Sequence, residues 1–181
     1  NINSISVALN RDVDELTFMV LNRPRHHQLI KRIRQHGASA SLIEHGDLTA
    51  AILSGLSGSG IHGAIGIGGS PEGFLAAAAI GVLGGEIQMR FLTKEMLEHP
   101  DDRAIIPDDV AENLRGFGLV DPTGVLGTRD LVPSRKIVFA FCAVTDSRMR
   151  DGVRLWGKGD SQGYSLQSMM MMEYDGVRAQ R

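Results

Sequence analysis

The sequence has little of several things, and each shortage excludes something. A single cysteine, Cys142, stands in 181 residues, so neither an internal disulfide nor a multi-cysteine metal site is available. Aromatic residues are 5% of the chain, which leaves the core to aliphatic side chains, methionine and close backbone packing. Charge of either sign is nearly balanced, at a formal −2, so no global field draws in nucleic acid. No apolar run reaches the ~18 residues of a membrane-spanning helix, and nothing at the start reads as a signal peptide. A cytoplasmic protein is expected. What is present is ordinary globular material: 43% hydrophobic residues, 22 glycines and a mean hydropathy of −0.04. That length suits one domain. The chain nevertheless begins at Asn1 without Met, in the middle of helical spacing (Ile2, Ile5, Leu9). The expectation is a single domain over 1–181 that is the C-terminal fragment of a longer protein.

Hydrophobic patterning sets out a repeated cycle. Leu16–Leu21 is a short apolar run that reads as a buried strand, and Asn22-Arg23-Pro24-Arg25 leads into a helix over 26–36 that Gly37 ends. Residues 38–43 form the next strand. Glu44-His45-Gly46 turns the chain, and Asp47 serves as N-cap of a helix to about Leu56. His62–Ile67 is a third strand, Gly68–Gly73 a tight turn, and the Ala-rich stretch 74–83 a closely packing helix. Three strand–turn–helix units in series predict an α/β fold, a layered sandwich with a mostly parallel sheet. The turns after the strands then converge on the crevice at their carboxyl ends. Later, Glu86–Leu92 suggests a further strand, a loop from Lys94 leads to a helix over about 108–116, and 136–143 is a clear strand. Stretches 151–156 and 164–172 are expected to close the fold as an antiparallel pair. In the latter, Met169–Met172 would alternate two side chains inward and two outward. Cys142 is expected to be an inert buried thiol, and His26, His27 and His62 to be structural or surface groups.

The three turns carry the chemistry. From Asn22 to His36 there are five Lys or Arg, three His and no acid. Arg23 and Arg25 at a helix start suit a phosphate, and a plainly solvated basic face is the alternative, better fitted to Lys31, Arg32 and Arg34. Asp47 is explained by capping alone, or by accepting hydrogen bonds from sugar hydroxyls. His45 is either an idle turn histidine or a contact. In Gly66-Ile67-Gly68-Gly69-Ser70-Pro71-Glu72-Gly73 the glycines let backbone approach a ligand. The spacing misses the dinucleotide fingerprint, which argues against a nucleotide-binding domain. Glu72 would repel a phosphate directly. It makes sense with a divalent cation between them, or simply as a first-turn acid on its own helix.

Taken in order, L-x-R-P-R-H, x-G-D before a small-residue helix, and G-I-G-G-S-P-E-G before A-A-A-A resemble the class II fructose-1,6-bisphosphatases. The later G-G-E-I-Q, F-A-x-x-x-V-T-D and D-G-V-R are similar to that family too. The resemblance implies the C-terminal part of the sugar-phosphatase/inositol-phosphatase-like fold. It also implies a Mn²⁺- or Mg²⁺-dependent hydrolysis of the 1-phosphate of fructose 1,6-bisphosphate, in gluconeogenesis and glycerol metabolism. Sedoheptulose 1,7-bisphosphate is a further substrate of some members. The resemblance assigns substrate binding to Arg23, Pro24, Arg25, His45, Gly46, Asp47 and Gly69, and metal binding to Glu72. It places the remaining metal carboxylates upstream of Asn1, so the missing N-terminal half would be a partner and this piece alone inactive. Two departures stand out. His45 occupies a position where the family has Asp, which removes an acceptor, and the segment 159–165 lacks the family's Arg-Thr pattern. The other readings are a truncated sugar-phosphate-binding homologue without catalysis, and a homo-oligomer assembled through the Met-rich strand.

Overall fold

A computed structural model describes residues 2–97, 124–157 and 162–180, with the isolated positions 103, 106, 112, 115 and 116. The chain opens with helix α1 (Ile2–Leu9), which buries none of its residues completely; Ile2 and Ile5 rest on the first core cluster. Strand β1 (Thr17–Leu21) is the centre of a three-stranded parallel sheet, flanked by β2 (Ser39–Ile43) and β3 (Gly63–Ala64) in the order β2-β1-β3. Its near-continuous apolar sequence follows from burial on both faces. Phe18 and Val20 pack with Ile30 and Ile33 of helix α2 (His27–Gln35), whereas Met19 packs with Ala50 and Leu53 of helix α3 (Asp47–Gly55). The connection through α2 carries the chain to one side of β1, and that through α3 carries it back to the other. The carboxyl end of β1 is therefore a topological switch point.

Helix α4 (Ser70–Leu83) lies against α3 and has apolar residues all round. Its small residues let neighbours close in: a Cβ at Gly55 of α3 would stand 3.0 Å from Ile80 and Leu83. The other side of α4 meets a second, antiparallel sheet of β6 (Lys136–Cys142), β9 (Ser168–Tyr174) and β10 (Val177–Gln180), ordered β10-β9-β6. Ala79 and Val82 pack there on Phe139, Met169 and Met171. The layers thus run α2, parallel sheet, α3 with α4, antiparallel sheet. Two small pairs complete the described strands, β4 (Gln88–Met89) with β5 (Leu126–Gly127) and β7 (Arg154–Trp156) with β8 (Gly163–Ser165). The short helix α5 (Thr128–Leu131) follows β5.

Several expectations are corrected. The fold is mixed α/β, and the sheet is not mostly parallel: only β1, β2 and β3 run parallel among the described strands. The closing pair is divided. Residues 154–156 pair with 163–165, while the methionine strand turns away at Leu166 and Gln167 to pair with β6. Met169 and Met171 face inward and Met170 and Met172 outward, as alternation requires. Cys142 is exposed rather than buried, because it falls on the outward parity of β6. The third strand is shorter than 62–67, and the strand expected over 86–92 reduces to Gln88–Met89. Most of the helix expected over 108–116 lies outside the described residues. No helix among the described residues is long and apolar enough to cross a membrane.

Candidate functional site

All three singled-out turns sit at the carboxyl ends of β1, β2 and β3, and side chains of the first turn bind the second and the third. The first turn begins with Arg23 in extended backbone. Pro24 then opens a short 3-10 turn, Pro24–His26, where its fixed φ suits a first helical position. Arg23 reaches the second turn, donating from Nη2 to the Glu44 carbonyl at 2.6 Å and lying 3.4 Å from His45 Nδ1. Its Nη1 also contacts the Glu44 carboxylate at 3.5 Å, and Asn22 Nδ2 donates to the same carboxylate at 2.9 Å. Glu44, which nothing in its local sequence marked out, is thus the acid that stitches the first two turns together. The signal was available only as its neighbourhood in space: a basic turn on the adjacent strand.

Arg25 reaches the third turn. Its Nε and Nη2 both donate to the Ile67 carbonyl, at 3.1 and 3.0 Å. That fork uses two of five N–H donors, so Nη1 and the second Nη2 hydrogen keep their capacity for an anion. His26, completely buried, holds the neighbouring group: the Ile67 N–H donates to His26 Nε2 at 2.8 Å. A ring nitrogen that accepts carries no proton, so Nδ1 bears it and donates to the Leu21 carbonyl at 2.9 Å. The ring is therefore the neutral tautomer, and its role is structural. Together Arg25 and His26 take both backbone groups of Ile67. This is why the ladder of β3 stops early: the backbone that would extend it is bound by side chains from the first turn.

The second and third turns touch as well. Gly46 sits at φ +93°, a left-handed conformation that glycine adopts without strain, and it caps α3. Asp47 is consequently the first helical residue and not the N-cap expected, and its carboxylate is free to lean elsewhere. It leans over Gly68, where any Cβ would collide with Asp47 Oδ2. In the same way Glu72, in the first turn of α4, folds its carboxylate back over Gly69, the N-cap. Gly68 and Gly69 are open to solvent, as are His45 and Glu72. Lys31 and Arg34 stand elsewhere, lining an open hollow of about 580 Å³ along the outer side of α2 with Asn22, His27 and Leu42.

A divalent cation takes six or more oxygens, several of them carboxylate. Among the described residues no three His, Cys, Asp or Glu groups come together to hold one. Glu72 is a single exposed carboxylate beside exposed backbone, suited to be one donor of a site and insufficient to form it.

Arginine donors, carboxylates and a glycine-lined helix start are gathered at the switch point of an α/β sheet. The comparisons give the chain a family. The model of the family described as bacterial fructose-1,6-bisphosphatase, glpX-encoded, matches residues 1–179, and the chain belongs to it. Relatives include proteins named D-fructose 1,6-bisphosphatase class 2/sedoheptulose 1,7-bisphosphatase. That of Trichodesmium erythraeum is 36% identical over 159 residues, covering 88% of this chain and 46% of the relative. That of Synechococcus elongatus is 36% identical over 171 residues, covering 92% and 48%. The Thermosynechococcus vestitus protein is 35% identical over 173 residues with the same coverage. The chain spans about half the length of the curated relatives it matches.

Proposed function

We propose that this chain supplies the sugar-phosphate-holding side of an active site that hydrolyses the 1-phosphate of fructose 1,6-bisphosphate. The observation that carries this reading is the pairwise joining of the three turns: Arg23 to Glu44, Arg25 to Ile67, Asp47 over Gly68. In it, Arg25 and Arg23 hold the phosphate that does not react, with Pro24 setting the approach of the chain. His45, Gly46 and Asp47 line the sugar, Asp47 accepting hydrogen bonds from hydroxyls. Gly69 brings backbone against the substrate, where a side chain would block it. The relatives' name extends the substrate class to sedoheptulose 1,7-bisphosphate, a sugar one carbon longer with the same phosphate ends.

The reaction adds water across a phosphate ester. Oxygen attacks phosphorus, the bond to the sugar oxygen breaks, and the sugar takes up a proton. Mn²⁺ or Mg²⁺, where bound, supplies charge for the phosphate oxygens and acidifies water. Glu72 would give such an ion one carboxylate, with its other donors outside the described residues. The work of this chain's own groups is positioning: fixing the far phosphate and the ring so that the reacting phosphate presents itself to the remainder of the site.

Phosphate release from fructose 1,6-bisphosphate by the full-length protein tests the reading. Glu72→Ala is expected to lower kcat by about 100-fold or more, an effect comparable to losing a key electrostatic group, while circular dichroism stays unchanged. Arg25→Ala is expected to raise KM with little change in kcat, as befits a contact made equally in ground and transition states. Normal kinetics and metal requirement in Glu72→Ala would remove it from the site.

A further inference from the structure

Helix α2 lies over β1, with Ile30 and Ile33 on Phe18 and Val20, and leaves part of the neighbouring strand β2 uncovered. Leu42 of β2 is the register partner of Val20, so the two share the face turned to α2, yet Leu42 stays 40% exposed. Between helix and strand runs an open hollow of about 580 Å³ with Ile30 and Leu42 as its apolar floor. Its rim is cationic. His27, Lys31 and Arg34 fall at i, i+4 and i+7, one stripe of the helix. Asn22, at the start of the first turn, also lines it. No acid lines the hollow, and none occurs in the sequence from Asn22 to His36. Among the described residues, neither His27, Lys31 nor Arg34 has a side-chain hydrogen-bond or ion-pair partner.

Helix stability does not account for this stripe. Lys31 and Arg34 stand at i, i+3, where like charges repel, and an acid at either position would serve the helix better. Overall charge does not account for it either, since the chain carries a formal −2 and the concentration is local. The spacing bears on the ligand. The helix rises roughly 1.5 Å per residue, so His27 and Arg34 stand about 10 Å apart along its axis with Lys31 between them. One tetrahedral oxyanion is too small to meet the whole stripe, whereas two anionic groups joined by a carbon body span it. We propose that the hollow between α2 and β2 is a second anion site, which takes a small organic molecule bearing two or more phosphate or carboxylate groups on an apolar body. Lys31 and Arg34 pair with its charges, His27 and Asn22 donate hydrogen bonds to it, and Ile30 and Leu42 receive the carbon chain. A second copy of this chain is a poor occupant, because a two-fold contact would set the same cationic stripes against each other. The site is separate from the turns, where Arg23 and Arg25 are directed to Glu44 and Ile67, and it does not depend on what the turns bind.

Calorimetric titration of the full-length protein with hexanediol bisphosphate, with suberate and with inorganic phosphate tests the proposal. The first two are dianions on an apolar chain, one bearing phosphates and the other carboxylates. At least one of them is expected to bind saturably, and which one does so identifies the anionic group that the hollow takes. Arg25→Ala, which removes an arginine from the turns, leaves that binding in place. In the same variant inorganic phosphate binds at least about tenfold more weakly than the dianion, for want of a second charge and a chain. Lys31→Ala combined with Arg34→Ala weakens the dianion about tenfold or more, the loss of at least one charge-assisted contact. Leu42→Ser weakens it as well, by taking apolar surface from the floor. Binding of neither dianion, or an affinity unchanged in the double variant, would overturn the proposal. Binding lost in Arg25→Ala would overturn it too, by placing the anion at the turns.

Discussion

At the scale of single residues, much of the site is held by groups whose partners lie over twenty positions away. His26 is the plainest case. Sequence reading placed it correctly as structural or surface, but only the fold shows why: it closes a buried link between the end of β1 and the glycine-rich turn. Replacing it with Phe leaves the Leu21 carbonyl and the Ile67 N–H without partners. Denaturant unfolding should show a loss of about 2–4 kcal/mol, the cost of one or two buried unsatisfied groups. Arg23 and Arg25 were singled out by their charge and by Pro24 between them. That each also braces a neighbouring turn was not legible, because hydrogen bonds to backbone carbonyls leave no residue pattern. Asp146 shows the same limit. Its backbone bond from Gly152, together with the ion pair to Arg154 at 2.7 Å, holds its carboxyl below the usual carboxylate range. A lowered folded-state value stabilises the fold at pH above the unfolded value. That contribution is lost as pH falls below about 4. Asp146→Asn should therefore flatten the acid side of the pH–stability profile, with little difference remaining at the lowest pH.

At the scale of elements, the first half of the chain was more legible than the second, although β6 in the second half ends within a residue of its expected 136–143. β1, α2, β2 and α3 fall within a residue or two of their expected bounds, because apolar period, proline and glycine agree there. β3 was over-read because its apolar residues fit a strand while side chains from another turn occupy its backbone. The methionine strand was given the wrong partner. Alternation fixed which side chains face inward, but register and neighbour come from tertiary packing on α4. Another element-level feature escaped the sequence altogether. Glu173, buried on β9, is held by Arg129 of α5 at 2.9 and 3.2 Å, with Arg135 and Arg178 within 3.7 and 4.0 Å. A lone Glu beside Tyr in a strand gives no sign of burial. Removing Arg129 strands a buried carboxylate, so Arg129→Ala should cost several kcal/mol, about 2–4 after allowing for the two remaining arginines and partial exposure. The double variant with Glu173→Leu should recover part of that loss. Gly55 sets the distance between α3 and α4. Gly55→Leu is expected to cost about 1–3 kcal/mol by overpacking against Ile80 and Leu83, read as a lower denaturation midpoint.

At the scale of the whole molecule, the account joins two faces of one chain. The carboxyl ends of the parallel strands gather the groups proposed to hold a sugar phosphate. The antiparallel sheet, on the far side of the α3 and α4 layer, presents exposed apolar side chains such as Val138 and Val177 on its outer side. Near-neutral overall charge is consistent with this arrangement, since what matters is a local concentration of donors at the turns rather than a field around the molecule. Motif order across the three turns carried the family, and the fold explains why that order counts: it brings three separate loops to one place. The central claim is that these turns form one binding site for a sugar phosphate. Its most direct measurement is calorimetric titration of the full-length protein with fructose 6-phosphate, in the unaltered protein and in Arg25→Ala. Saturable binding is expected in the first, weakened by about tenfold or more in the second, since a charge-assisted contact contributes about 1.5–3 kcal/mol. Equal affinity in both proteins would contradict the claim.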